Sequence, residues 1–117
     1  MNKLKFSHSV GQGINIIDNV NPDSLDIIVK DIDIPDDQSK PIRVLLEFRY
    51  LDDSENNGSR MHKLEEGEML SYEEGRIPGF QLHIDNKDRI KGRVSVIYKF
   101  SDRYSLYETT FKKQSAA

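Results

Sequence analysis

Three histidines, His8, His62 and His83, are the side chains best suited to acid–base or metal chemistry near neutral pH. None stands in a His-x-His or His-Glu-x-x-His spacing, so no two of them form a local metal-binding pair. Ser7-His8-Ser9 sets two hydroxyls beside an imidazole, but adjacent residues do not face one another, and a nucleophile–base contact is not expected there. His83 alternates with Leu82 and Ile84 and should point to solvent. All three are read as ordinary surface histidines. Gly-x-Ser-x-Gly is absent, and Gly11-Gln12-Gly13 meets Ile16 where a dinucleotide fingerprint needs its third glycine. Asp31, Asp33, Asp36 and Asp37, with Asp52, Asp53 and Glu55 on another loop, raise the question of calcium, which needs several converging oxygens. No Asp-x-Asp-x-Asp-Gly loop is present, so solvated turn aspartates are the expectation. No catalytic, cofactor-binding or metal-binding residue is assigned, no cofactor is expected, and the chain reads as a non-enzyme.

The 117 residues suffice for one domain with a real core. Charged residues make up 32% and hydrophobic ones 36%, and β-branched and aromatic residues run the whole length, which argues against disorder. A net charge of −3 lacks the basic excess of a nucleic-acid binder, so no nucleic acid is expected as a partner. The absence of cysteine excludes disulfides, thiolate chemistry and cysteine-based zinc sites. Met1 to Phe6 has no apolar leader core, and no stretch approaches the ~20 apolar residues of a membrane helix. A cytoplasmic protein is the expectation.

The elements that must carry any site are strands. Ile42, Val44, Leu46, Phe48 and Tyr50 alternate with Arg43, Leu45, Glu47 and Arg49, the period-2 signature of a half-buried strand. Leu25, Ile27 and Val29 do the same, after which the apolar positions become Ile32 and Ile34; a β-bulge near Lys30-Asp31 would account for the change of parity. Shorter runs at Lys3–Phe6, Ile14–Ile17, Met61–Leu64, Met69–Tyr72 and Phe80–Ile84 complete the pattern. Val94, Val96, Tyr98 and Phe100, a break at Ser101-Asp102-Arg103, and Tyr104 to Phe111 read as a closing hairpin. Lys63 to Glu74 is the one stretch with helical composition, but Gly67 and Gly75 interrupt it. Seven or eight strands with turn signals between them imply an all-β antiparallel sandwich over residues 1–112, with a small barrel as the alternative and a flexible tail at 113–117.

Three fragments together resemble bacterial immunoglobulin-like β-sandwich domains: Val10-Gly11-Gln12-Gly13-Ile14-Asn15, Leu64-x-x-Gly67-Glu68, and Val96-Ile97-Tyr98 followed by Asp102 and Tyr107-x-Thr109-x-Phe111. The sequence departs from that pattern in having no glycine after Asp102 and no Trp or Cys pair. The resemblance implies a soluble adhesive or assembly module, often part of a small membrane-anchored protein, and transfers no catalytic residue.

In an immunoglobulin-type sandwich, strands 42–51, 92–100 and 104–111 would be neighbours in one sheet. With Tyr107, Thr109 and Phe111 inward, the shared outer face would present Arg43, Arg49, Arg93, Lys99 and Lys112 around Leu45, Ile97 and Leu106, against Glu47 and Glu108. Exposed aliphatics among cations suit a protein partner or self-association. Binding of an anionic small molecule or nucleotide is the alternative. The candidate contact residues are therefore Arg43, Leu45, Arg49, Arg93, Ile97, Lys99 and Lys112.

Overall fold

Alternating apolar and polar residues place every regular element of the described residues in a strand. The computed structural model describes residues 1–20, 24–51, 59–71, 79–85 and 89–111. Among them are nine strands: β1 (Asn2–His8), β2 (Gln12–Asp18), β3 (Ser24–Asp33), β4 (Arg43–Leu51), β5 (Ser59–Glu65), β6 (Met69–Ser71), β7 (Gln81–Asp85), β8 (Val94–Phe100) and β9 (Tyr104–Thr110). They form a four-stranded sheet in the order β1-β8-β7-β6 and a five-stranded sheet in the order β5-β4-β3-β2-β9. Every pairing is antiparallel. The sheets are stacked as a β-sandwich and do not close into a barrel.

The core is the inward half of each alternation. Ile14 and Ile16 of β2, Leu25, Ile27 and Val29 of β3, and Val44, Leu46 and Phe48 of β4 meet Leu82 and Ile84 of β7 and Val94, Val96, Tyr98 and Phe100 of β8. The bulge falls where the parity changes, with the β3–β4 register shifting between Val29 and Asp31. That extra residue returns Ile32 to the core side, where it packs against the buried cluster. The glutamate-rich stretch forms no helix in its described part: β5 ends at Glu65, Glu68 N–H donates to Glu65 O at 2.9 Å, and Gly67 takes φ 94°. Residues 72–74 lie outside the described set.

Two connections differ from the sequence reading. β8 and β9 are not a hairpin; the Ser101–Arg103 turn carries the chain from one sheet to the other. Arg103 pins this arch by donating Nε and Nη2 to the two carboxylate oxygens of Asp18, at 2.9 and 2.7 Å. Even positions consequently stay inward through the turn, so Tyr104 is buried and Leu106 packs on the core, whereas Tyr107 is exposed. This reverses the expected parity, which had Tyr107, Thr109 and Phe111 inward. β1 and β2 are joined by a similar arch through Gly11, which adopts φ 90°. β1 thus pairs with β8 in one sheet and β2 with β9 in the other.

Gly13 permits the close approach of β2 to β3. A Cβ there would lie 1.8 Å from the carbonyl oxygen of Ile27. Arg89 holds the 35–41 loop through the carbonyls of Lys40 at 2.6 Å and Pro35 at 3.3 Å, and faces Glu66 at 3.6 Å. No helix of the described residues is long and apolar enough to cross a membrane.

Candidate binding face

The split of the last two strands between sheets divides the expected contact residues. Arg43, Leu45 and Arg49 lie on β4, in the five-stranded sheet, whereas Arg93, Ile97 and Lys99 belong to the four-stranded one. β9 shares a sheet with β4 but is separated from it by β3 and β2, and its Leu106 faces the core. Lys112 lies outside the described residues. The single face imagined for β4, β8 and β9 does not exist, because β8 pairs with β1 and β7 instead.

On β4 the cations are matched locally. Arg49 donates to Glu47 at 3.0 Å, and Arg43 lies 3.4 Å from Glu65 on the neighbouring strand. Glu47 is itself largely buried and also faces Lys30 at 3.9 Å. Leu45 is half-buried beside this ladder. The cleft at this end of the sheet, about 380 Å³, is lined by Asp31, Asp33, Glu65 and Glu68 against Arg43 and Lys63, the wrong sign for an anion. Among the described residues no three His, Asp or Glu side chains converge as a metal site, and Asp37 instead accepts from the N–H and hydroxyl of Ser39. Those two hydrogen bonds hold its carboxyl below the usual range.

The four-stranded sheet carries a different surface. Its registers align outward side chains in rows: Lys3, Lys99, Gln81 and Ser71; Lys5, Ile97, His83 and Met69; and Ser7, Ser95 and Asp85. Lys3 stands directly opposite Lys99, and neither is ion-paired among the described residues. Lys5 is 2.7 Å from the largely buried Asp85. Arg93, just before β8, donates from Nε and Nη2 to the hydroxyl and carbonyl oxygens of Ser7. Ile97 sits mid-face at 9% exposure, covered by the side chains around it, while Met69 at the edge is half exposed.

His83 reports the field of this face. Burial lowers its pKa first, and Lys99 and Lys3 lower it further, with Asp85 opposing them. Its imidazole is therefore neutral at pH 7, and its Nδ1 is buried without a hydrogen-bond partner among the described residues. The expectation that His83 points outward holds; it is half-buried rather than free on the surface.

His8 overturns the surface reading. It is fully buried on the inward side of β1, while Ser7 points to the outer face. Its Nε2 lies 2.9 Å from the Tyr98 hydroxyl, so no serine–histidine pair is formed. Lys3, Lys5, His83 and Asp85 were absent from the sequence-derived set because the partner of β1 lies some ninety residues away. The alternation Lys3-Leu4-Lys5-Phe6 was the available signal for their side of the strand. No family model, curated protein or solved structure matches this chain.

Proposed function

We propose that this β-sandwich is a non-catalytic binding module whose contact surface is the outer face of β1, β8, β7 and β6, and whose partner is an acidic protein surface. The observation that carries the reading is the opposition of Lys3 and Lys99. Like charges directly opposite across strands are destabilising by roughly 0.2–1 kcal/mol, and no described carboxylate relieves this pair. An acidic partner would supply the missing counter-charge. The chain as a whole is negative, so the cations of this face are a local excess against a net charge of −3.

Met69, half exposed at the β6 edge, adds apolar area beside the cationic rows, which suits a protein rather than a small anion. The placement of Ser7 and His8 on opposite sides of β1 supports the non-catalytic part of the reading. So does the resemblance to bacterial immunoglobulin-like assembly modules. An acidic oligopeptide such as poly-glutamate, titrated into ¹⁵N-labelled protein, tests it. Amide shifts are expected at Lys3, Lys5, Ile97 and Lys99, fading at about 1 M salt, where the Debye length is roughly 3 Å. Absence of those shifts, or equal shifts in a Lys3→Glu, Lys99→Glu double variant of unchanged fold, would overturn the reading.

A further inference from the structure

Among the described residues the two open sheets have four edges: β1 and β6 on one sheet, β5 and β9 on the other. Each is a row of backbone groups able to accept another strand unless it is guarded. All four carry some guard. β1 has Lys3 and Lys5, β6 spans only three residues, and β5 bears Arg60, Lys63 and Glu65. β9 is the least guarded: seven residues, Tyr-Ser-Leu-Tyr-Glu-Thr-Thr, with no proline and a single charge, Glu108, on the core-side parity of Tyr104 and Leu106. Aromatic and β-branched residues of this kind favour strand pairing.

The ends of the β2–β9 ladder reveal which backbone groups of β9 are open. Phe111 N–H donates to Gly11 O and Asn19 N–H donates to Arg103 O, each at 2.8 Å. The register between those ends is unbroken, so odd-numbered positions of β9 bond to β2. Leu106 and Glu108 therefore aim their N–H and C=O groups at the edge that has no partner strand among the described residues.

We propose that β9 pairs antiparallel with β9 of a second copy, about a twofold axis at Tyr107. The register that overlaps all seven residues is the one that sets Tyr107 against itself. Leu106 then meets Glu108 of the second copy in a hydrogen-bonded pair, twice by symmetry, and Ser105 meets Thr109. Glu108 never faces Glu108. Tyr107, 54% exposed, gains an aromatic neighbour at a non-hydrogen-bonded position, where cross-strand side chains approach most closely. The interface is isologous and self-closing, and it joins the two five-stranded sheets into one.

Sedimentation combined with amide hydrogen exchange over a concentration series decides it. A dimer is expected, with the Leu106 and Glu108 amides slowing as it forms. Glu108→Pro removes an N–H that points away from β2, so the internal ladder is spared and a folded monomer should result. Tyr107→Lys opposes two like charges and should weaken the dimer without touching the core. The Lys3→Glu, Lys99→Glu variant alters the other sheet and should dimerise like the unmodified chain. A monomer at millimolar concentration, a dimer whose Leu106 and Glu108 amides stay unprotected, a dimer surviving both β9 substitutions, or one lost with the lysine variant would each overturn the proposal.

Discussion

The Tyr98 hydroxyl and His8 Nε2 lie 2.9 Å apart inside the sandwich, joining residues ninety positions apart in the chain. Burial is the main reason that the His8 pKa falls from 6.5 to about 4, with Arg93 adding to it. Burial also raises the Tyr98 pKa, with a smaller push from Glu108, so that hydroxyl stays protonated.

This pair predicts an acid-sensitive fold. The unfolded chain binds a proton at His8 near pH 6.5, whereas the folded chain does so only near pH 4. Stability is therefore complete above about pH 6.5 and declines as pH falls toward 4, by roughly 2–4 kcal/mol from this group. Urea midpoints measured across that window check it. His8→Gln keeps a polar partner for Tyr98 but cannot titrate, so its midpoint should be flatter with pH; identical slopes would rule the histidine out as the cause.

Arg103 is expected to matter more than its partial exposure suggests. Asp18 is almost fully buried and accepts both guanidinium donors as well as the Val20 N–H, so Arg103→Ala removes the cation that neutralises this carboxylate while the Val20 hydrogen bond remains. The urea midpoint should fall by clearly more than it does when an exposed ion pair such as Arg43–Glu65 is broken. Arg103→Lys retains charge but loses the two-pronged geometry, and should fall between the unmodified chain and Arg103→Ala.

Two glycines should rank in a definite order. Gly13→Ala forces a Cβ onto the Ile27 carbonyl and should cost about 3 kcal/mol or more. Gly67→Ala meets open space, and only its φ of 94° opposes the substitution, for about 1 kcal/mol. Thermal melts of the two variants test the ranking, and a reversed order would contradict the β2–β3 approach described above.

Lys3→Glu should stabilise the protein while weakening acidic-partner binding. It turns a repulsive pair with Lys99 into an attractive one, a gain of up to about 1 kcal/mol. Improved melting with retained binding to poly-glutamate would separate the lysine pair from function.

The strands were legible because their signal is local. Ile42 to Phe48 and Leu25 to Val29 alternate cleanly, and even the bulge at Val29/Asp31 shows in the shifted parity of Ile32 and Ile34. The pairing was not, because nothing near Lys3 or Phe6 says that Lys99 and Val96 will lie beside them. The closing segment misled for a related reason. A three-residue break looks the same whether it reverses the chain within a sheet or carries it across, and the deciding contact, Arg103 with Asp18, spans 85 positions. His8 was within reach of the sequence, since it continues the inward parity of Leu4 and Phe6. A histidine in that position simply reads as polar until a buried hydroxyl such as that of Tyr98 is found for it.

The pairing of β1 with β8 also sets a timetable. Phe6 cannot meet Val96 until some ninety further residues have been made, a wait on the order of ten seconds at about 5–20 residues per second. Meanwhile β2 through β5 can zip up from neighbouring segments. β1 therefore spends that interval unpaired on the ribosome, with Phe6 and His8 still wet and Lys3 and Lys5 keeping the idle strand in solution. Its side of the sandwich can be sealed only after β8 emerges.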